Sequence, residues 1–97
     1  MSFLVVNHMQ GGDQRIYEKV RGIVEQRVGQ MPPPGNISHI AGKTDTGWMV
    51  VDLWESESAW KHFIEETLKP AFEEAGESAR WPQIERRTAN VAVLVPA

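Results

Sequence analysis

Few residues in this chain are equipped for chemistry. It has three histidines, His8, His39 and His62, and no cysteine. Cysteine nucleophiles, thiolate zinc sites, iron–sulfur clusters and disulfide scaffolds are therefore excluded. The histidine spacing matches no metal-binding motif, and we expect no metal site. His39 and Asp52 form the candidate catalytic pair. A carboxylate beside an imidazole fixes one tautomer and leaves the other ring nitrogen to take a proton from a substrate. The pair also has an architectural reading, as a mutually satisfied contact that pins strand register or a dimer. Asn7, Trp60 and Phe63 are the candidate ligand-binding residues. With Trp48 and Trp54, the two aromatic residues either line a flat pocket or fill an ordinary core. Asn7 stands on an otherwise apolar strand face. There its amide either orients a ligand oxygen or ties down a backbone.

These residues need elements to hold them. FLVVNHM, closed by Gln10-Gly11-Gly12, reads as a strand and turn. Asp13 caps a helix over residues 14–30, with Ile16, Tyr17, Val20, Ile23, Val24 and Val28 as its apolar stripe. Pro32-Pro33-Pro34-Gly35 forces an extended loop. Residues 36–42 and 47–54 read as two strands of a hairpin. Ser56 caps a second helix with Ala59, Trp60, Phe63, Ile64, Leu68, Ala71, Phe72 and Ala75 on its inner face. Pro70 should kink that helix or start a new short one, because it lacks an N–H and crowds the preceding turn. A last strand follows Pro82, interrupted at Asn90 and closing with Val91–Val95. Strand, helix, strand, strand, helix, strand is the ferredoxin-like order, an α+β fold with a four-stranded antiparallel sheet. One domain accounts for residues 1–97.

An even-length turn between the second and third strands sets their register. Ile37 then faces Trp54, His39 faces Asp52, Ala41 faces Val50 and Lys43 faces Trp48, each pair on one side of the sheet. A turn of odd length would separate His39 from Asp52. Both sheet faces read as apolar, and two helices cover only one. A homodimer packed sheet against sheet is the economical solution.

Composition closes off other classes. Hydrophobic residues make up 41% and charged residues 24% of the chain, ordinary for a folded protein. The net charge is −3, concentrated in residues 55–77, whose seven glutamates outnumber two lysines on what reads as a solvated helix face. No basic stripe invites nucleic acid or an anionic membrane. No apolar run approaches the length of a membrane span and no signal peptide is visible, so the expected location is cytoplasmic. No glycine-rich phosphate loop is present, and we expect no cofactor.

The segment HIAGKTDTGWMVVDLWESESAWKHFIEETLKPAFEEAG, His39 to Gly76, resembles the antibiotic biosynthesis monooxygenase-like group of dimeric α+β barrels. Gly47-Trp48, Asp52, Trp54-Glu55-Ser56, Phe63 and Leu68-Lys69-Pro70-Ala71 carry the likeness. The resemblance implies a homodimer with a ligand cavity between helices and sheet. It groups the chain with members of no known activity, beside cofactor-free oxygenases of aromatic polyketides and haem-degrading enzymes. Where that uncharacterised branch leads one to expect a histidine before the last-strand asparagine, this chain has Ala89 before Asn90. The haem-degrading branch matches at Asn7. Where it carries a helical tryptophan and a haem-binding histidine, this chain has Phe63 and Glu73, and a carboxylate does not supply the imidazole. Two functions follow. One is a cofactor-independent monooxygenase-like enzyme acting on an aromatic or quinone-like molecule. The other is a non-catalytic dimer, either binding a small hydrophobic ligand or purely structural.

Overall fold

The computed structural model of the 97-residue chain describes residues 2–95. β1 (Phe3–Gln10) leads to α1 (Gln14–Val28), then the hairpin β2 (Asn36–Lys43) and β3 (Gly47–Trp54). α2 (Glu57–Phe63), a π-helical turn (Ile64–Leu68) and α3 (Lys69–Glu74) follow as one helical run. A 3-10 turn (Ser78–Gln83) and β4 (Glu85–Asn90) complete the order. The strands form one sheet in the order β2-β3-β1-β4, and every pairing is antiparallel. This is the expected ferredoxin-like arrangement.

Local chemistry sets the element ends. Asp13 accepts the Ile16 N–H at 2.8 Å, and Ser56 accepts the Ala59 N–H at 3.1 Å. Each satisfies a donor that the first helical turn leaves free. α1 stops two residues earlier than expected, because Gly29 takes a left-handed conformation with φ 77° and donates to the Glu25 carbonyl. At Gly47 a Cβ would collide with the Met9 carbonyl, so only glycine lets the hairpin turn close against β1.

Pro70 lies in the first turn of α3, and the interruption it causes is a π turn rather than a break. The Lys69 N–H reaches back five residues to the Ile64 carbonyl. Widening the helix just before the proline accommodates its ring and its missing donor.

The expected hairpin register holds at His39–Asp52, Ala41–Val50 and Lys43–Trp48. It fails at the strand's start. A bulge between Asn36 and Ser38 makes Asn36 the partner of Trp54, and leaves Ile37 unpaired and 52% exposed. The expected final strand also ends early. Among the described residues beyond Asn90, only the Val91 N–H bonds back, to the Ser2 carbonyl, and Val93, Leu94 and Val95 are exposed. β1 begins at Phe3, opposite Asn90, so Val91–Val95 lie past the paired end of that strand.

Helices cover one sheet face only. Phe3, Val5 and Trp54 are buried in one cluster; Met9, Ile16, Val20, Val24, Ala71, Phe72 and Ala75 form a second. Phe63 packs against both. The opposite face, with Leu4, Ile40, Val51 and Leu53, lies open in the single chain, so the expectation of two buried faces is not met within one protomer. Among the described residues no helix is long and apolar enough to cross a membrane.

Candidate active site

The two buried clusters do not close on each other. Between helices and sheet lies a cavity of about 420 Å³. Close-packed interiors hold few voids larger than a water molecule, whereas ligand pockets start at roughly 300 Å³. Ile16, Val20 and Val24 of α1, Trp48 and Trp54 of β3, and Phe63 and Phe72 of the second helical run supply much of its apolar wall.

One end of the cavity is a hydrogen-bonded chain. The sheet register puts His39 of β2 beside Asp52 of β3 on the inner face. His39 Nδ1 lies 2.6 Å from Asp52 Oδ1. A carboxylate only accepts, so Nδ1 carries the proton and Nε2 is left as an acceptor. The Tyr17 hydroxyl of α1 donates to Nε2 at 2.5 Å, its ring stacked at 13° to the imidazole. Asn36, brought to this face by the bulge, donates to the same Asp52 oxygen at 3.3 Å. Burial raises the Tyr17 pKa above its ordinary value of 10.0. Asp52 and Glu18 push it the same way, while Arg21 opposes them. Tyr17 thus stays a neutral hydroxyl at physiological pH.

The other end is a caged cation. Asn7 of β1 pairs with Arg86 of β4, and the Arg86 Nε–H donates to Asn7 Oδ1 at 2.7 Å. The guanidinium lies 5.7 Å from the Trp60 ring centre and 5.2 Å from that of Trp81. Its Nη2 is buried without an acceptor among the described residues. Trp48 Nε1 and Trp54 Nε1 are likewise buried and unpaired. Burial lowers the Arg86 pKa from its ordinary value.

Four of the five residues singled out from sequence, Asn7, His39, Asp52 and Phe63, line the cavity. Trp60 does not; it stands behind the wall, against Phe3 and Arg86. His8 is engaged elsewhere, with Glu85 and Thr44. Among the described residues no group of three or more potential ligands is placed to hold a metal. Sequence reasoning missed Tyr17 and Arg86, and with them Asn36 and Trp81. Tyr17 was grouped with the apolar stripe of its helix, although its hydroxyl was a signal that this stripe faces something polar. Arg86 lies on the last strand, and no local pattern in the sequence ties it to Asn7.

No protein-family model matches this sequence, and no curated protein matches it either. Solved structures do match in fold. A variant of SnoaB, a cofactor-independent oxygenase from Streptomyces nogalater, superposes with a TM-score of 0.62 at 15% identity, covering 99% of this chain and 97% of that one. A dimeric ferredoxin-like protein of unknown function from Jannaschia gives 0.61 at 10% identity, covering 94% and 100%. A heme-degrading protein from Mycobacterium tuberculosis gives 0.59 at 18% identity, covering 99% and 100%. The chain therefore has the ferredoxin-like fold of the antibiotic biosynthesis monooxygenase-like proteins.

Proposed function

We propose that this protein is a cofactor-independent oxygenase acting on a flat phenolic or quinol-like molecule. The observation that carries this reading is the Asp52–His39–Tyr17 chain standing in the wall of a mostly apolar cavity. A phenolic substrate donates its hydroxyl proton to the Tyr17 oxygen while the Tyr17 proton moves to His39 Nε2. The resulting imidazolium is held by Asp52. Apolar walls exclude water and favour a bound aromatic ring. The electron-rich substrate anion passes one electron to dioxygen, and the radical pair joins at a ring carbon to give a hydroperoxide. Loss of water leaves a carbonyl. In sum, the substrate and O₂ give a quinone-like product and H₂O: the phenolic O–H and a ring C–H (in the keto tautomer, one CH₂ group) lose two hydrogens, the ring carbon gains C=O, and all electrons come from the substrate.

Haem breakdown is the weaker reading. His39 is the one histidine lining the cavity and both its nitrogens are engaged, while Glu73 is exposed.

The fold-mate from Jannaschia is dimeric, and the open apolar sheet face offers the same assembly here. The proposal accordingly includes a homodimer, and keeps the cytoplasm as compartment, with cell fractionation as the check. The functional test is oxygen uptake with a panel of anthrones and naphthols, followed by mass spectrometry. Expected is a product that has gained one oxygen and lost two hydrogens. Saturable binding of these molecules with no oxygen uptake would replace the enzyme with a non-catalytic ligand binder.

A further inference from the structure

Arg86 has no evident task in the proton-transfer chain. It sits on the opposite edge of the sheet. The inner-face rows are Ala41–Val50–Asn7–Arg86 and, two residues along, His39–Asp52–Val5. Neighbouring strands lie about 4.8 Å apart, so the β2 and β4 backbones at the two ends of the cavity are roughly 14 Å apart. Both ends line the same space.

A buried guanidinium normally finds a carboxylate. Arg86 makes no ion pair among the described residues. Its one hydrogen-bond partner is the neutral amide of Asn7, on Nε. Two indole faces hold the guanidinium. They orient it, with Nε held by Asn7 and Nη2 unsatisfied among the described residues. The other charged groups lining the cavity are Asp52, already bonded to His39 and Asn36, and the exposed Arg21. The lining therefore carries an excess of one positive charge, and that excess is placed at the end remote from the base.

We infer that the cavity selects an aromatic anion, a hydroxyaryl carboxylate whose carboxylate pairs with Arg86 while its phenol meets Tyr17. Resting on the proposed site, the inference names the class of molecule that fills it. A planar fork of N–H donors matches a carboxylate in two parallel bonds, which a neutral phenol cannot reproduce. The rings between the two ends lie against Trp48, Trp54 and Phe63. Trp60 and Trp81 act as positioning residues through the guanidinium, which gives Trp60 a role although it lines no cavity wall.

The test is calorimetric binding to the full chain without dioxygen, so it does not depend on turnover. The probes are 6-hydroxy-2-naphthoic acid and 2-naphthol, which differ in the carboxylate. Expected is tighter binding of the acid by about tenfold, the scale of one charge-assisted contact. Arg86→Met should bring the ratio of the two affinities to about one. Arg86→Lys, which keeps the charge and loses the fork, should give an intermediate ratio. Equal or tighter binding of 2-naphthol by the unaltered protein overturns the inference, whether or not the variants fold. So does a folded Arg86→Met variant that keeps the preference, or failure of both probes to bind. Absence of oxygen uptake with a retained carboxylate preference would remove the oxygenase and leave the anion site standing.

Discussion

Tyr17 and His39 belong to different elements, a helix and an edge strand, yet their side chains meet at 2.5 Å in the wall of the cavity. The contact turns a helix-face tyrosine into the outer end of a chain that starts at Asp52. Burial and the nearby Asp52 and Glu18 charges disfavour its phenolate. Tyr17 is the one tyrosine of the sequence, so phenolate absorbance reports it alone. Its titration midpoint should lie above 10.0, the ordinary value. Asp52→Asn should lower the midpoint by removing a negative charge, and Arg21→Gln should raise it. A midpoint at or below the ordinary value would contradict the half-buried, neutral phenol.

Removing the base should cost more than removing its orienting partner. His39→Ala is expected to reduce turnover by about 10²–10⁴-fold, the usual range for a general base. Asp52→Asn should show a smaller loss, since Nε2 survives and only the tautomer control weakens. Both losses should appear in kcat more than in KM. Unchanged oxygen uptake in a folded His39→Ala variant would make the pair architectural.

Acid should destabilise the protein partly through Glu77. The Arg80 guanidinium, 2.7 Å away, holds this carboxyl below its ordinary value, with a smaller contribution from Lys19. A carboxyl whose pKa is depressed on folding contributes stability above its unfolded value of 4.5, and the contribution is lost as pH falls through the folded pKa. Glu77→Gln should therefore melt below the parent at neutral pH, with the gap closing as the pH falls below 4.5 and through the folded pKa. A gap that stays constant with pH would remove the linkage.

The open sheet face should be the dimer face. Ile40 is 64% exposed in the single chain. Sedimentation should give about twice the chain mass for the parent, and Ile40→Glu should reduce it to the chain mass, because a buried unpaired carboxylate opposes association. A parent that sediments as a monomer rejects the assembly; a charged variant that stays dimeric moves the interface elsewhere.

The element order was readable because periodicity and end signals are local. Asp13 and Ser56 announce helix starts, and the hairpin alternation announces two strands. His39 and Asp52 were readable as neighbours for a related reason: a short turn fixes register, and register fixes which side chains share a face. Ile37 shows where that logic stops. A bulge inserts one residue without a sequence signal strong enough to read, and it exchanged Ile37 for Asn36 beside Trp54.

Sequence by itself determined the fold and half of the site, those residues whose neighbours are a turn away along one hairpin. Tertiary structure decided the rest. Tyr17 reaches His39 only because α1 crosses the inner sheet face, and Arg86 reaches Asn7 only because β4 pairs beside β1. The cavity belongs to neither element. It exists because helices and sheet pack as two clusters that Phe63 joins without filling the space between them, and the volume left by packing is a property of the whole set of side chains rather than of any segment.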